Sequence, residues 1–321
     1  NGYWTVHSNY DSISYGGGIG VEAKHIEITH NSISHNIGFD FGGGVRIAGS
    51  GVGAYASVKN NSVKNNLNVG GGSHGAGIIM SCNGLIESNW VEGNTFNTSY
   101  GGVQSGVGGG VLIVNSGNTN DVVVSRNTIV RNTAHSGAGL MIDEGAKVMI
   151  VNNIIAKNKS WQRGGGLRVD GGGTGVYSEV IAVNNTICHN SENTDPDGVG
   201  GHGIHVTDSK FSGSNNILWG NGYGNNELYL YGSGSILYLE HSLIGDYALT
   251  SPAIDVGLPP TFGEGILQSA SQIDNPKFID TSLFNYRLNN GSPLIGIGTS
   301  SFGTPNTIPI VDIDGGMRNY T

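Results

Sequence analysis

The sequence predicts an all-β chain, a right-handed parallel β-helix of about eight coils with a C-terminal cap. Three observations predict it. Glycine supplies 56 of 321 residues while proline supplies only 8, a Gly-x-Gly-apolar element recurs along the chain, and an asparagine-bearing element alternates with it. Glycine usage near ~7% is ordinary, so the excess requires a structural reason. Disorder does not supply it, because disordered chains are charged and poor in β-branched residues, whereas this one is rich in Val and Ile. Collagen fails too, since glycine does not fall at every third position. A regular repeat of short strands and tight turns remains.

The glycine element occurs at Gly16-Gly17-Gly18-Ile19, Gly42-Gly43-Gly44-Val45, Gly75-Ala76-Gly77-Ile78 and Gly108-Gly109-Gly110-Val111. It returns at Gly137-Ala138-Gly139-Leu140, Gly164-Gly165-Gly166-Leu167 and Gly201-His202-Gly203-Ile204. Its last glycines are separated by 26, 33, 33, 29, 27 and 37 residues, the period of a solenoid. Each copy opens an alternating stretch such as Leu167-Arg168-Val169-Asp170, a period-2 strand too short to compete as a helix.

The second element reads apolar-x-apolar-x-x-Asn-x-apolar-x-x-Asn, as in His30-Asn31-Ser32-Ile33-Ser34-His35-Asn36 and Arg126-Asn127-Thr128-Ile129-Val130-Arg131-Asn132. Asparagine tolerates the left-handed backbone of a sharp corner. Its amide also bonds the same amide one coil away, with stacked strands ~4.8 Å apart. Two ladders are predicted. One holds Asn31, Asn61, Asn89, Asn127, Asn153, Asn185 and Asn216; the other holds Asn36, Asn66, Asn94, Asn132, Asn158, Asn190 and Asn221. These asparagines are architecture rather than chemistry.

From about Pro252 the repeat fades, so residues 1–251 read as the solenoid and 252–321 as an irregular segment capping its open end. The net charge of −9 and 15 scattered Lys and Arg exclude the basic stripe of a nucleic-acid binder. Cys82 and Cys188 fall in different coils, too far apart to pair. No apolar run approaches the ~18 residues of a membrane span. The chain starts at Asn1 without a methionine, so it reads as a trimmed piece whose missing start would carry an export signal, and the expected location is secreted or cell-surface.

The alternating Gly-Gly-Gly-apolar and Asn-x-x-apolar-x-x-Asn units resemble those of right-handed β-helix proteins of the pectate-lyase-like superfamily. The closing run Asn275-Pro276-Lys277-Phe278, Tyr286-Arg287-Leu288 and Asp312-Ile313-Asp314-Gly315-Gly316-Met317-Arg318 resembles the end of many secreted bacterial β-helix proteins. A looser similarity is to the passengers of polymorphic outer-membrane proteins, although Ile, Val or Leu stands here where they repeat Phe. The superfamily resemblance implies the fold and a carbohydrate-related role. It does not by itself imply a reaction, because the scaffold carries lyases, glycosidases, tailspikes and adhesins.

Aligning the strands after the glycines gives an outward column Gly20, Arg46, Ile79, Leu112, Met141, Arg168, His205, Tyr229. A second outward column reads Glu22, Ala48, Ser81, Val114, Asp143, Asp170, Thr207, Tyr231. Polar chemistry gathers in the later coils. Asp143 and Asp170 fall on adjacent coils beside Arg168 and His205, and the preceding loops add His135, Trp161, Arg163 and His202. Two reactions fit. Asp143 and Asp170 would hold Ca²⁺ bridging to a uronate while Arg168 or His205 removes a sugar proton, the lyase pattern. Otherwise the two carboxylates would serve as the acid and base or nucleophile of glycoside hydrolysis. In either case Arg46, His135, Trp161, Arg163, His202 and Tyr229 are the expected substrate contacts, and the expected partner is a polysaccharide or cell-surface glycan. A non-catalytic adhesin or scaffold is the competing reading, favoured by the apolar run Ile79, Leu112, Met141. An ice-binding surface is disfavoured, since no outward column repeats threonine.

Overall fold

Each Gly-x-Gly element turns the chain into a short strand whose alternate side chains face inward, and successive coils stack these strands in register. The computed structural model describes residues 4–6, 17–39, 41–69, 74–96, 106–115, 121–173, 175–192, 201–222, 227–245, 254–255, 261–269, 275–303 and 308–317. Asp195-Pro196-Asp197-Gly198, whose sequence reads first as a turn and second as a Ca²⁺ loop, lies outside the described residues. The result is an all-β parallel solenoid with three long sheets of ten, nine and nine strands. Among the described residues no helix is long and apolar enough to cross a membrane.

The first sheet stacks Ile19–Ala23, Val45–Gly49, Ile78–Ser81, Val111–Val114, Leu140–Asp143, Leu167–Asp170, Ile204–Thr207 and Leu228–Tyr231. The pairing has the predicted register, with Ile78 against Val45 and Val111, and Arg168 against Met141 and His205. The inward columns are dry: Val45, Ile78, Val111, Leu140, Leu167 and Ile204 are all fully buried. The second sheet includes His25–Thr29, Asp121–Ser125, Lys147–Val151 and Ile236–Glu240, and the third includes Ser32–Ser34, Thr128–Val130, Ile154–Ala156 and Leu243–Gly245. The inward columns of the first sheet meet inward residues of both, such as Val124, Ile150, Ile129 and Ile155, in one continuous core. At the N-terminal edge of the second sheet, Trp4–Val6 pairs antiparallel with His25–Thr29 and covers an otherwise open row of backbone groups.

Both asparagine ladders form. Asn132 is typical: its backbone N–H and Nδ2 both donate to Asn158 Oδ1, at 2.9 and 3.0 Å, while Asn94 donates to Asn132 Oδ1 in the same way. The left-handed bend, however, falls one residue before each ladder position, at His30, Asn60, Ser88, Arg126, Asn152, Asn184 and Asn215 on the first corner. The ladder asparagine itself is therefore free to turn its amide inward. Glycine explains the closing of the other corner, that of the second ladder. A Cβ at Gly110 would lie 2.6 Å from the Gly139 carbonyl and 2.8 Å from Asn132 Nδ2, so only glycine lets the coils close.

The stretch beyond residue 251 has two parts. Its first part adds another rung, with Ile254–Asp255, Thr261–Phe262 and Leu267–Ser269 pairing parallel to the rung before. Its later part runs along the flank of the third sheet as a strap. A hairpin of Phe278–Asp280 and Asn285–Leu288 sets Tyr286 on Val130, Ala156 and Cys188. Phe284 meets Trp90 edge-on at 5.9 Å. The hairpin buries the apolar part of this sheet's outward face, where Trp90, Ile154, Ile217 and Trp219 pack against the same cluster. Cys82 and Cys188 are both buried thiols.

Candidate functional site

Arg168 organises the outward face of the first sheet. One arm of its guanidinium donates to Ser136 Oγ and the other to Asp170 Oδ2. The side chain is only 13% exposed, because the chain folds over it. Gly164 has φ +63, and a Cβ there would sit 2.7 Å from Arg168 Cβ. Gly137 stands in the same relation to Met141. The first glycine of the motifs at Gly42, Gly75, Gly108, Gly137 and Gly164 thus bends the preceding segment back across the outward column, and only a residue without Cβ allows that approach. This is why Ile79, Leu112 and Met141 are buried, forming a small cluster with Val107 and Val114. The apolar run is interior packing and offers no adhesive surface, which removes the observation that favoured an adhesin.

Asp143 and Asp170 close neighbouring strands of this sheet, Leu140–Asp143 and Leu167–Asp170. Burial and the adjacent Asp170 push the Asp143 carboxyl up to about 6, against the opposing pull of the Glu144 backbone N–H and of Arg168. The Glu144 N–H reaches Asp143 Oδ1 at 2.8 Å. Asp170 has one oxygen on Arg168 and the other accepting from the Gly172 N–H at 3.3 Å. Two neighbouring carboxyls thus occupy different environments, one pressed toward its neutral form and one tied to a guanidinium.

His205 stands one rung beyond Arg168 and is 1% exposed. Its Nε2 lies 3.1 Å from Thr207 Oγ1, and its ring packs against Tyr229 at 4.8 Å between centroids. Burial, with Arg168 and Arg163 nearby, holds its pKa well below the usual imidazole range. The same causes in the same order lower His135. Arg163 lies over the Tyr231 ring at 5.8 Å.

The structure therefore gathers Asp143, Arg168, Asp170, His205 and Tyr229 on the sheet, with His135 and Arg163 electrostatically coupled to them from the flank. The other expected contacts are placed elsewhere. Arg46 lies well down the same column, over Phe41 at 5.5 Å, and Phe41 stacks on His74 at 5.3 Å. His202 accepts the Glu192 N–H at 2.9 Å through Nδ1. Trp161 is half-buried on the flanking strand Lys159–Arg163. Ser136, which fixes Arg168, escaped the sequence reading. Its signal is its position immediately before a motif glycine, in bridge register with Val107.

Arg168 has both terminal arms engaged and His205 is sealed from solvent, so neither is placed to take a proton from a substrate. A Ca²⁺ site takes six to eight oxygens, and among the described residues no group of three acidic, histidine or cysteine side chains is placed to hold a metal.

A family model described as the right handed beta helix region matches residues 43–244. Searches of curated proteins and of solved structures find no match. The matched span holds the motif glycines from Gly43 onward, most of both asparagine ladders and the whole Asp143–His205 cluster, and the chain belongs to the right-handed β-helix family.

Proposed function

We propose that this β-helix works outside the cytoplasm, binds a polysaccharide along its first sheet, and hydrolyses it with Asp143 and Asp170. The observation that carries the reading is the divergence of two carboxyls on adjacent rungs. Asp143, raised to about 6, serves as general acid toward the leaving glycosidic oxygen. Asp170, oriented by Arg168 and the Gly172 N–H, serves as the base that takes a proton from a water, whose oxygen bonds the anomeric carbon as the glycosidic bond breaks. Arg168 acts as a positioning residue, itself held by Ser136. Asp143 and Asp170 close neighbouring strands, which sets the two carboxyls side by side on one sheet, the pairing that glycosidases need. β-Elimination is the weaker reading, since it calls on Arg168 or His205 as base.

The test is depolymerisation of a panel of neutral and uronate-bearing polysaccharides, with products separated into saturated reducing ends and unsaturated ends. Saturated products, unaffected by chelator and lowered at least ~100-fold in Asp143→Asn and in Asp170→Asn, are expected. Unsaturated products would replace hydrolysis with elimination. No product from any polymer would leave a surface scaffold without chemistry.

A further inference from the structure

The second outward column of the first sheet continues past the two carboxyls. Asp170 pairs in register with Thr207, and Thr207 with Tyr231, so Tyr231 stands two rungs beyond Asp170, about 10 Å along the stacking direction. Packing gives no reason for an exposed ring there. Another rung follows, with Tyr231 paired to Asp255, so the ring does not shield the end of the sheet. Tyr229, two residues earlier, shows the opposite fate, buried against His205. Tyr231 is 40% exposed even with the Arg163 guanidinium 5.8 Å over its ring.

A second exposed ring lies beside it. The turn after the strand Leu228–Tyr231 passes Tyr177 so closely that a Cβ on Gly234 would fall 2.3 Å from Tyr177 Cε1. Tyr177 is 43% exposed. It closes the loop that begins at Gly171, whose Gly172 N–H bonds Asp170. Tyr177 and Tyr231 therefore stand on the C-terminal side of the carboxyl pair, and one of them is tied to Asp170 through its own loop.

The electron-rich face of a tyrosine ring attracts the polarised C–H groups on the flat side of a pyranose. The Arg163 guanidinium brings N–H donors, which suit sugar hydroxyls, to the same place. A polymer lying along the column with one glycosidic bond at Asp143 and Asp170 reaches Tyr231 two rungs on. We propose that Tyr231 and Tyr177, with Arg163, form a sugar-stacking subsite that holds the polymer on the C-terminal side of the cleaved bond. The subsite presupposes Asp143 and Asp170 as the cleaving pair and adds the residues that grip the chain beside them.

Affinity electrophoresis of the full chain through gels carrying polygalacturonate, alginate, xylan or dextran tests it, with Asp143→Asn as the parent so that cleavage is suppressed. At least one polymer should retard the parent. Adding Tyr231→Ala should weaken that binding about five- to tenfold and Tyr177→Ala about threefold. Tyr231→Phe, which keeps the ring, should bind like the parent, and Tyr55→Ala, which removes an exposed tyrosine of the second sheet, should change nothing. A folded Tyr231→Ala variant that binds like the parent would overturn the subsite while leaving the hydrolytic reading in place. Retardation by none of the polymers would also overturn it, and product release by the wild type then judges the hydrolytic reading separately.

Discussion

At the scale of single residues, Asp143 shows most directly how the fold shapes chemistry. A carboxyl raised by burial and by Asp170 costs the folded state stability whenever it ionises. The unfolded chain releases that proton near 3.8 and the folded chain near 6. Its stabilising contribution is therefore complete below about pH 4 and is lost as pH rises through about 6. Asp143→Asn removes this dependence. The variant should gain on the order of 1–2 kcal/mol over wild type as pH is raised across that window, with the gap closing in acid. Urea unfolding of both proteins at several pH values measures it, and a gap that widens toward acid would contradict the assignment. His205 teaches the opposite lesson. It belongs to the predicted column, but alternation alone suggested exposure, and only the turn at the motif glycines shows that it is sealed.

At the scale of elements, the ladders give the solenoid a direction. Along the ladders each backbone N–H and one Nδ2 hydrogen go to the Oδ1 of the next C-terminal coil while Nδ2 also reaches back to a carbonyl of the preceding coil, so the last forward donors need an acceptor. Asn216 finds it in Ser242 Oγ, and the buried Glu227 takes both the N–H and the Nδ2 of Asn221. A carboxylate suits the positive end of aligned amide dipoles, as it does at a helix N-terminus. Breaking a ladder in the middle should be costly. Asn132→Ala strands two Asn94 donors and the Val91 carbonyl inside a dry corner, so a loss of roughly 3–5 kcal/mol is expected. Chemical denaturation checks it, and a loss under about 1 kcal/mol would mean that water replaces the ladder. The strands, register, inward columns and ladders were all legible because each repeats a pattern tied to coil geometry. The strap was not, because its hairpin docks through Tyr286 and Phe284 on the third sheet, a tertiary match that carries no periodic signal. The buried apolar column was misjudged for a similar reason. Alternation tells inside from outside of the coil but says nothing of a neighbouring turn folding over the outside.

At the scale of the whole molecule, one continuous core supports two unlike faces. The strap covers apolar residues on the outside of the third sheet, while the first sheet carries its polar cluster along the stacking direction. The candidate site was half-legible: the columns brought Asp143, Arg168, Asp170 and His205 together, whereas Ser136 and the sealing of His205 depend on close approach of the flanking strand. The central claim is that Asp143 donates the proton in glycoside cleavage. The most direct measurement is the pH dependence of reducing-end release from a cleaved polysaccharide. If Asp143 is the acid, the rate should fall as pH rises above about 6, and Asp143→Asn should lose that limb along with most of the activity. A rate that climbs through the same range, or a variant with the wild-type profile, would contradict it.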